Sequence, residues 1–185
     1  GPMVEAQLRA QGYTLGHFPQ SFELSTLGGW VASRSSGQQS LRYGRIEQMF
    51  AGGVCETFDG TLDIPTFPAS AAGPDLRELL LGSEGRLGII SEVKVRVSKL
   101  ANKEQFSVYF FPHWQAARQF CQQVVQQRTP LSMLRVSNAI ETETQLKLAG
   151  HETAIAWLEQ YLTLRGCKQQ KCMLTMGITG SALQV

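Results

Sequence analysis

The chain has 185 residues, 43% hydrophobic and 17% charged, a globular composition with enough length to bury a sizeable core. Seventeen basic and 15 acidic residues leave a net charge of +2, and no basic stripe stands out, which argues against a nucleic-acid or anionic-membrane partner. No apolar run approaches the ~20 residues of a bilayer span, no secretory leader opens the chain, and the 4 cysteines and 3 isolated histidines make no metal-ligand spacing.

Met3 to Gln11 is predicted as a short helix with Val4, Leu8 and Ala6 on its inner side, ended by Gly12 in the left-handed cap position. Leu15 to Pro19 is expected to be extended, because a proline disfavours helix at the residue before it. Gly28 to Ser33 reads as the start of a short helix. Gln48 to Glu56 is a strand, bulged at Gly52-Gly53, with a turn at Asp59-Gly60. A Pro/Ala/Ser-rich loop over Thr66 to Gly73 leads to Pro74 as the first residue of a helix over Asp75 to Leu81. Ile89 to Val97 alternates, with Ile89, Val93, Val95 and Val97 on the apolar side of a half-buried strand.

The composition changes near residue 100, since 14 of the 18 glycines precede it, and Lys99 to Lys103 reads as a boundary. Beyond it the order is strand (Gln105 to Phe111), helix from Pro112-His113, strand (Leu131 to Val136), helices Ala139 to Leu148 and Thr153 to Leu164 split by Gly150, and a strand from Lys171 to Ile178. Trp114, Ala117, Phe120, Cys121 and Val124 fall on one face at the helical period. Helices on one face of an antiparallel sheet account for this order, an α+β class. The last residues, Gly180 to Val185, trail off where a new element would begin.

Three clusters are candidates for chemistry. Ser25-Thr26-Leu27-Gly28-Gly29-Trp30 places two hydroxyls before two glycines, where backbone can approach a planar ligand or a phosphate; an ordinary helix N-cap explains the same residues. Ser33-Arg34-Ser35-Ser36-Gly37 sets a cation among hydroxyls, suited to an anion or to a solvated turn. Gly82, Gly85 and Gly88 run into a strand, the reverse of the nicotinamide fingerprint, and no P-loop lysine follows. No GxSxG elbow or carboxylate pair is present, and His17 and His113 read as structural or solvent-exposed. Arg135, inside an apolar strand, faces either solvent or a pocket for an anionic group.

In this order the clusters resemble one family. The runs Gly16 to Val31, Ser33 to Gly37, Tyr43 to Glu47 and Gly73 to Ile90 are similar to the FAD-binding segments of the alkyldihydroxyacetonephosphate synthases, within the FAD-linked oxidases of the vanillyl-alcohol-oxidase, or PCMH, type. The likeness covers roughly residues 4–148 and is less specific for the synthases against relatives that oxidise 2-hydroxy acids.

The resemblance implies an α+β chain, with residues 1–100 part of the FAD-binding domain and 101–185 part of the C-terminal cap domain. It implies that FAD is lined by Gln20, Ser21, Phe22, Glu23, Leu24, Ser25 and Thr26, by Gly28 and Gly29, by Ser33, Arg34, Ser35 and Ser36, and by Glu84, Gly85, Arg86, Leu87, Gly88, Ile89 and Ile90. Arg135 would match a cap arginine near the active site. The implied reaction exchanges an acyl for an alkyl group on dihydroxyacetone phosphate. The alternatives are a D-lactate- or glycolate-like oxidoreductase and a non-catalytic split module. A pyrophosphate loop, a catalytic tyrosine and a histidine cluster belong to the family's pattern and are absent from these residues, so the chain is expected to be a fragment that binds FAD weakly or not at all. The expected partner is a small molecule bearing phosphate or carboxylate, with no nucleic acid, with a homodimer left open, and in a cytoplasmic setting that suits reduced thiols.

Overall fold

The computed structural model describes residues 1–180, so the expectation for residues 181–185 lies outside the described residues. The chain divides into two compact units, Gly1–Ala101 and Asn102–Val185.

The first unit opens with helix α1 (Pro2–Ala10), and Gly12 follows it at φ +79°. The inner face of α1 is aliphatic only in part: Leu8 packs against the core and Val4 is half-buried. Glu5 is its buried residue, and Ala6 is exposed. The Glu5 carboxylate accepts from the Thr14 hydroxyl and from the Leu15 N–H at 3.2 Å, which satisfies a charge that would otherwise be costly to bury. Strand β1 (Tyr13–Thr14) pairs antiparallel with the late strand Ser98–Lys99. A 3₁₀ turn (Phe22–Leu24) precedes α2 (Leu27–Ala32), and two single-turn helices follow, α3 (Ser40–Tyr43) and α4 (Ile46–Met49).

Strand β2 (Phe50–Thr57) forms a hairpin with β3 (Gly60–Ile64) through the Asp59-Gly60 turn and lies between β3 and β4 (Ile89–Val95). Its register shifts twice against β4, once between Phe50 and Gly52 and once between Val54 and Cys55. The second shift corrects the expected phase of β4. Ser91 is the extra residue there, so Ile90, Val93 and Val95 turn inward while Ile89 is 77% exposed. Helix α5 is shorter than expected (Arg77–Leu80), and Pro74 precedes it rather than opening it. Asp75 Oδ1 accepts from the Arg77 N–H at 3.0 Å, a local turn that delays the helix start. Strand β5 is the Ser98–Lys99 pair. The core holds Leu15, Trp30, Val31, Ile46, Phe50 and Leu80, so α2, α4 and α5 all sink their apolar residues against the β2–β4 sheet.

The second unit is an antiparallel sheet ordered β6 (Lys103–Phe111), β8 (Cys172–Gly180), β7 (Met133–Ser137), with helices α6 (Trp114–Gln126), α7 (Ala139–Leu148) and α8 (Glu152–Leu164). The mixed α+β class with antiparallel sheets is as expected. His113 caps α6, its Nδ1 accepting from the Ala116 N–H at 3.3 Å, and Asn138 caps α7 in the same way at 2.9 Å. Ala117 of α6 is fully buried, and Phe120 meets Phe111 of β6 with ring centroids 5.3 Å apart. Register places Phe111, Leu174 and Val136 on this face and Val108, Thr175 and Arg135 on the other. No helix among the described residues is long and apolar enough to cross a membrane.

Candidate functional site

The three clusters of the first unit converge on α2. Thr26 is its N-cap, the hydroxyl accepting from the Gly29 N–H at 3.1 Å, so the ordinary capping role of this cluster is real. Both glycines sit in the first helical turn rather than in a turn before it. At the other end, Ser33 Oγ donates to the Gly29 carbonyl at 2.8 Å, and the Ser35 N–H donates to the Trp30 carbonyl at 3.0 Å. The 82–90 segment is sewn to the same helix: the N–H of Gly82 donates to Val31 O at 3.2 Å and that of Glu84 to Ala32 O at 2.9 Å. A Cβ on Gly28 would stand 3.5 Å from Ile90 O, so helix and strand already pack as closely as a side chain permits. Gly85, at φ +78°, has open space around it, and Glu84 carries φ +50°, a left-handed conformation that a non-glycine residue adopts at some cost.

Not every expected residue is free to act. The Arg34 guanidinium is paired with Glu78 of α5, and its backbone carbonyl accepts from Arg45 Nη2 at 3.3 Å. That pairing neutralises the charge the sequence offered as an anion binder. Arg86 donates to Ser83 O at 3.3 Å and has no acidic partner among the described residues, so it is the available cation of the 82–90 segment. Gln20, Ser21, Glu23, Thr26, Gly29, Ser33, Ser36, Glu84, Gly85 and Arg86 are exposed, whereas Phe22, Ser25, Gly28, Arg34, Ser35, Gly88 and Ile90 are half-buried. Leu24, Leu87 and Ile89 are open apolar side chains at 95%, 44% and 77% exposure. A cleft of about 340 Å³ lies along Leu79, Leu81, Gly82, Ser83, Arg86 and Leu87. Another of about 340 Å³, lined by Phe67, Pro68, Pro74, Arg77 and Arg96 among others, shares no residue with the three clusters.

Beneath the clusters is a polar layer built on His17, a residue that reads in the sequence as structural or solvent-exposed. His17 is 1% exposed and its Nε2 is 2.7 Å from Ser35 Oγ. Its ring meets Trp30 edge to face at 4.9 Å, and Trp30 Nε1 donates to Ser25 Oγ at 2.7 Å. Phe22 stacks on the same indole, centroids 6.1 Å apart. Burial drives the His17 pKa down to about 4, against a smaller upward pull from Glu47. Nothing in the spacing from His17 to Trp30 signals such a layer, and only the fold brings His17 to Ser35.

Arg135 lies in the second unit, where its Nη2 pairs with Glu141 Oε1 at 2.6 Å, and that carboxylate also accepts from Gln145 Nε2 at 3.1 Å. It is neither a free solvent-facing arginine nor an unpaired one.

The residues fit a flavin dinucleotide: side-chain-free backbone at Gly29 and Gly85, half-buried hydroxyls, one open arginine and exposed aliphatic side chains suit a ligand that is part planar ring and part anion. Residues 1–62 match the model of the FAD binding domain family. That match lies within the first unit. Over 167 residues, 88% of this chain, it is 39% identical to the alkyldihydroxyacetonephosphate synthase of Dictyostelium discoideum, and that match spans 27% of the relative. Over 98 residues, 52% of the chain, it is 48% identical to the "uncharacterized FAD-linked oxidoreductase YgcU" of Escherichia coli strain K12, spanning 20% of it. A solved alkyldihydroxyacetonephosphate synthase superposes on all of the chain with a TM-score of 0.85 at 35% identity, using 34% of its own length. The chain thus spans about a fifth to a third of these relatives.

Proposed function

We propose that the chain supplies one wall of an FAD site in a flavoenzyme resembling alkyldihydroxyacetonephosphate synthase. The observation that carries this reading is the convergence of the three clusters on α2, in a chain similar along 88% of its length to such a synthase. When bound, the flavin supplies the electron chemistry. The residues here bind and orient it: Ser25 and Ser35 offer hydroxyls, Gly29 and Gly85 offer bare backbone, Arg86 offers charge to phosphate, and Leu24, Leu87 and Ile89 offer aliphatic contact. Arg135, held by Glu141 on the sheet face away from α6, is a candidate for an anionic substrate group, and a small phosphate- or carboxylate-bearing molecule is the partner this reading assigns. Similarity to the mitochondrial D-lactate dehydrogenase of Arabidopsis thaliana, 34% identical over 90 residues, 48% of this chain and 16% of that relative, supports a second reading, an FAD-dependent 2-hydroxy-acid oxidoreductase.

The binding claim is tested by mapping backbone amide shifts of the labelled chain against millimolar FAD. Shifts confined to residues 20–36 and 84–90, with weak affinity, are expected. The two reactions are separated on the protein at its natural length, by assaying acyl-dihydroxyacetone phosphate with a fatty alcohol against D-lactate with a dye acceptor. Turnover of D-lactate alone would remove the synthase-like reading.

A further inference from the structure

We infer that His17 and Trp30 form a buried donor layer that fixes the Ser35 and Ser25 hydroxyls as hydrogen-bond donors toward the bound ligand, with His17 in its Nε2–H tautomer as the positioning residue. The identity of the ligand rests on the flavin reading above; the donor layer itself does not.

The indole N–H only donates, so Ser25 Oγ, at 2.7 Å from Trp30 Nε1, must accept. The Ser25 hydroxyl then keeps its own hydrogen, and the acceptor recorded for it, Phe22 O, is at the 3.5 Å limit. The same logic decides Ser35 once the tautomer of His17 is known. Nε2 lies 2.7 Å from Ser35 Oγ, while Nδ1 is buried with no hydrogen-bond partner among the described residues. A neutral imidazole carries one ring hydrogen. Placing it on Nδ1 would bury an unpaired N–H, whereas placing it on Nε2 leaves only an unpaired lone pair; buried orphan N–H groups are the rarer of the two in proteins. The ring therefore donates from Nε2 to Ser35, whose one hydrogen is left to point outward. The Nδ1 side is closed by Gly37, where a Cβ would stand 3.3 Å from Nδ1 and 2.8 Å from the Phe18 nitrogen. Glu47 is the charged group that acts on the ring; its Oε1 is 3.3 Å from Arg45 Nε, and its Oε2 is buried without a hydrogen-bond partner among the described residues, as Nδ1 is.

Trp30 ties the layer together. Its carbonyl holds the Ser35 N–H, its indole N–H holds Ser25, and its ring backs His17. Two half-buried hydroxyls, the Ser25 hydrogen held only by the long contact to Phe22 O, select acceptor oxygens, of phosphate or of a ring carbonyl, and FAD carries both.

The test begins with the tautomer, read from long-range proton–nitrogen correlation of the imidazoles in the labelled chain near neutral pH, with His17 assigned through His17→Gln. The expected spectrum has a protonated Nε2 and a bare Nδ1, and Ser35→Ala shifts the Nε2–H resonance and speeds its exchange with water. A proton on Nδ1, turned toward Glu47, or an Nε2–H indifferent to Ser35→Ala overturns the inference. The second arm compares FAD affinity by amide-shift titration. Ser35→Ala and His17→Phe should each weaken binding about tenfold, the double variant no further, and His17→Gln, which keeps a donor N–H, should retain most of the affinity. Additive losses, or a Ser35→Ala variant that binds as wild type, would also overturn it. Riboflavin and ADP in place of FAD show whether ring or phosphate oxygens carry the Ser35 effect. If the wild-type chain shows no FAD shifts at all, the flavin reading fails while the tautomer and Ser35→Ala spectra alone decide the donor layer.

Discussion

His17 carries a consequence for stability that belongs to one residue. Its folded pKa, about 4, lies below the ordinary 6.5, so the unfolded chain binds the proton more readily than the native one. The sign follows from linkage: the neutral ring's contribution is full above about pH 6.5 and is lost as pH falls toward 4, a span equivalent to about 3 kcal/mol. Urea unfolding between pH 7 and pH 4 should show this decline for wild type, and His17→Gln should flatten it. A decline of the same size in the variant would assign the acid sensitivity to other groups. Residues of this kind were poorly legible in the sequence. His17 beside Phe18 and Pro19 reads as structural or solvent-exposed, and its burial leaves only the first, but nothing in the spacing couples it to Ser35, eighteen positions on. Arg34 is the converse case. Its local pattern suggests an anion site, and the partner that neutralises it, Glu78, comes from a helix 44 positions away.

At the scale of elements, periodicity and end signals carried well where elements are long. The second unit follows its expected order because α6 has a clear apolar face and a His113 cap, and β8 runs for nine residues. The first unit was harder, since α3, α4 and α5 are four residues each and the bulge at Ser91 reverses the phase of Ile89 and Ile90. Tertiary hydrogen bonds, not propensity, set those features. Helix α2 is short and glycine-bearing, so its Thr26 cap should matter: Thr26→Ala is expected to cost about 1 kcal/mol in denaturant unfolding, and Thr26→Ser should recover most of it. Gly88 is a stronger constraint. At φ +157° its Cβ would collide with the Glu56 carbonyl, backbone against backbone across β2 and β4. Gly88→Ala should destabilise the unit by about 1–3 kcal/mol and disturb the amide shifts of residues 82–90 before those of β3. A variant with native stability and unchanged shifts would mean the approach of these strands is looser than described.

For the molecule as a whole, the order of three weak local signals was legible and their convergence was not. Each cluster alone suits a cap, a turn or a loop, and two of those ordinary roles are present: Thr26 caps α2 and Ser33 closes its end. What the fold adds is that residues 82–90 hydrogen-bond to the C-terminal turn of the helix that residues 25–30 begin. The measurement that tests this account most directly is the amide-shift map of the labelled chain titrated with millimolar FAD. The account predicts weak, saturable shifts centred on residues 25–29, 33–36 and 84–90, and no stoichiometric yellow complex. Shifts centred elsewhere, such as the cleft at Phe67 and Arg96, or no shifts at millimolar FAD, would contradict it.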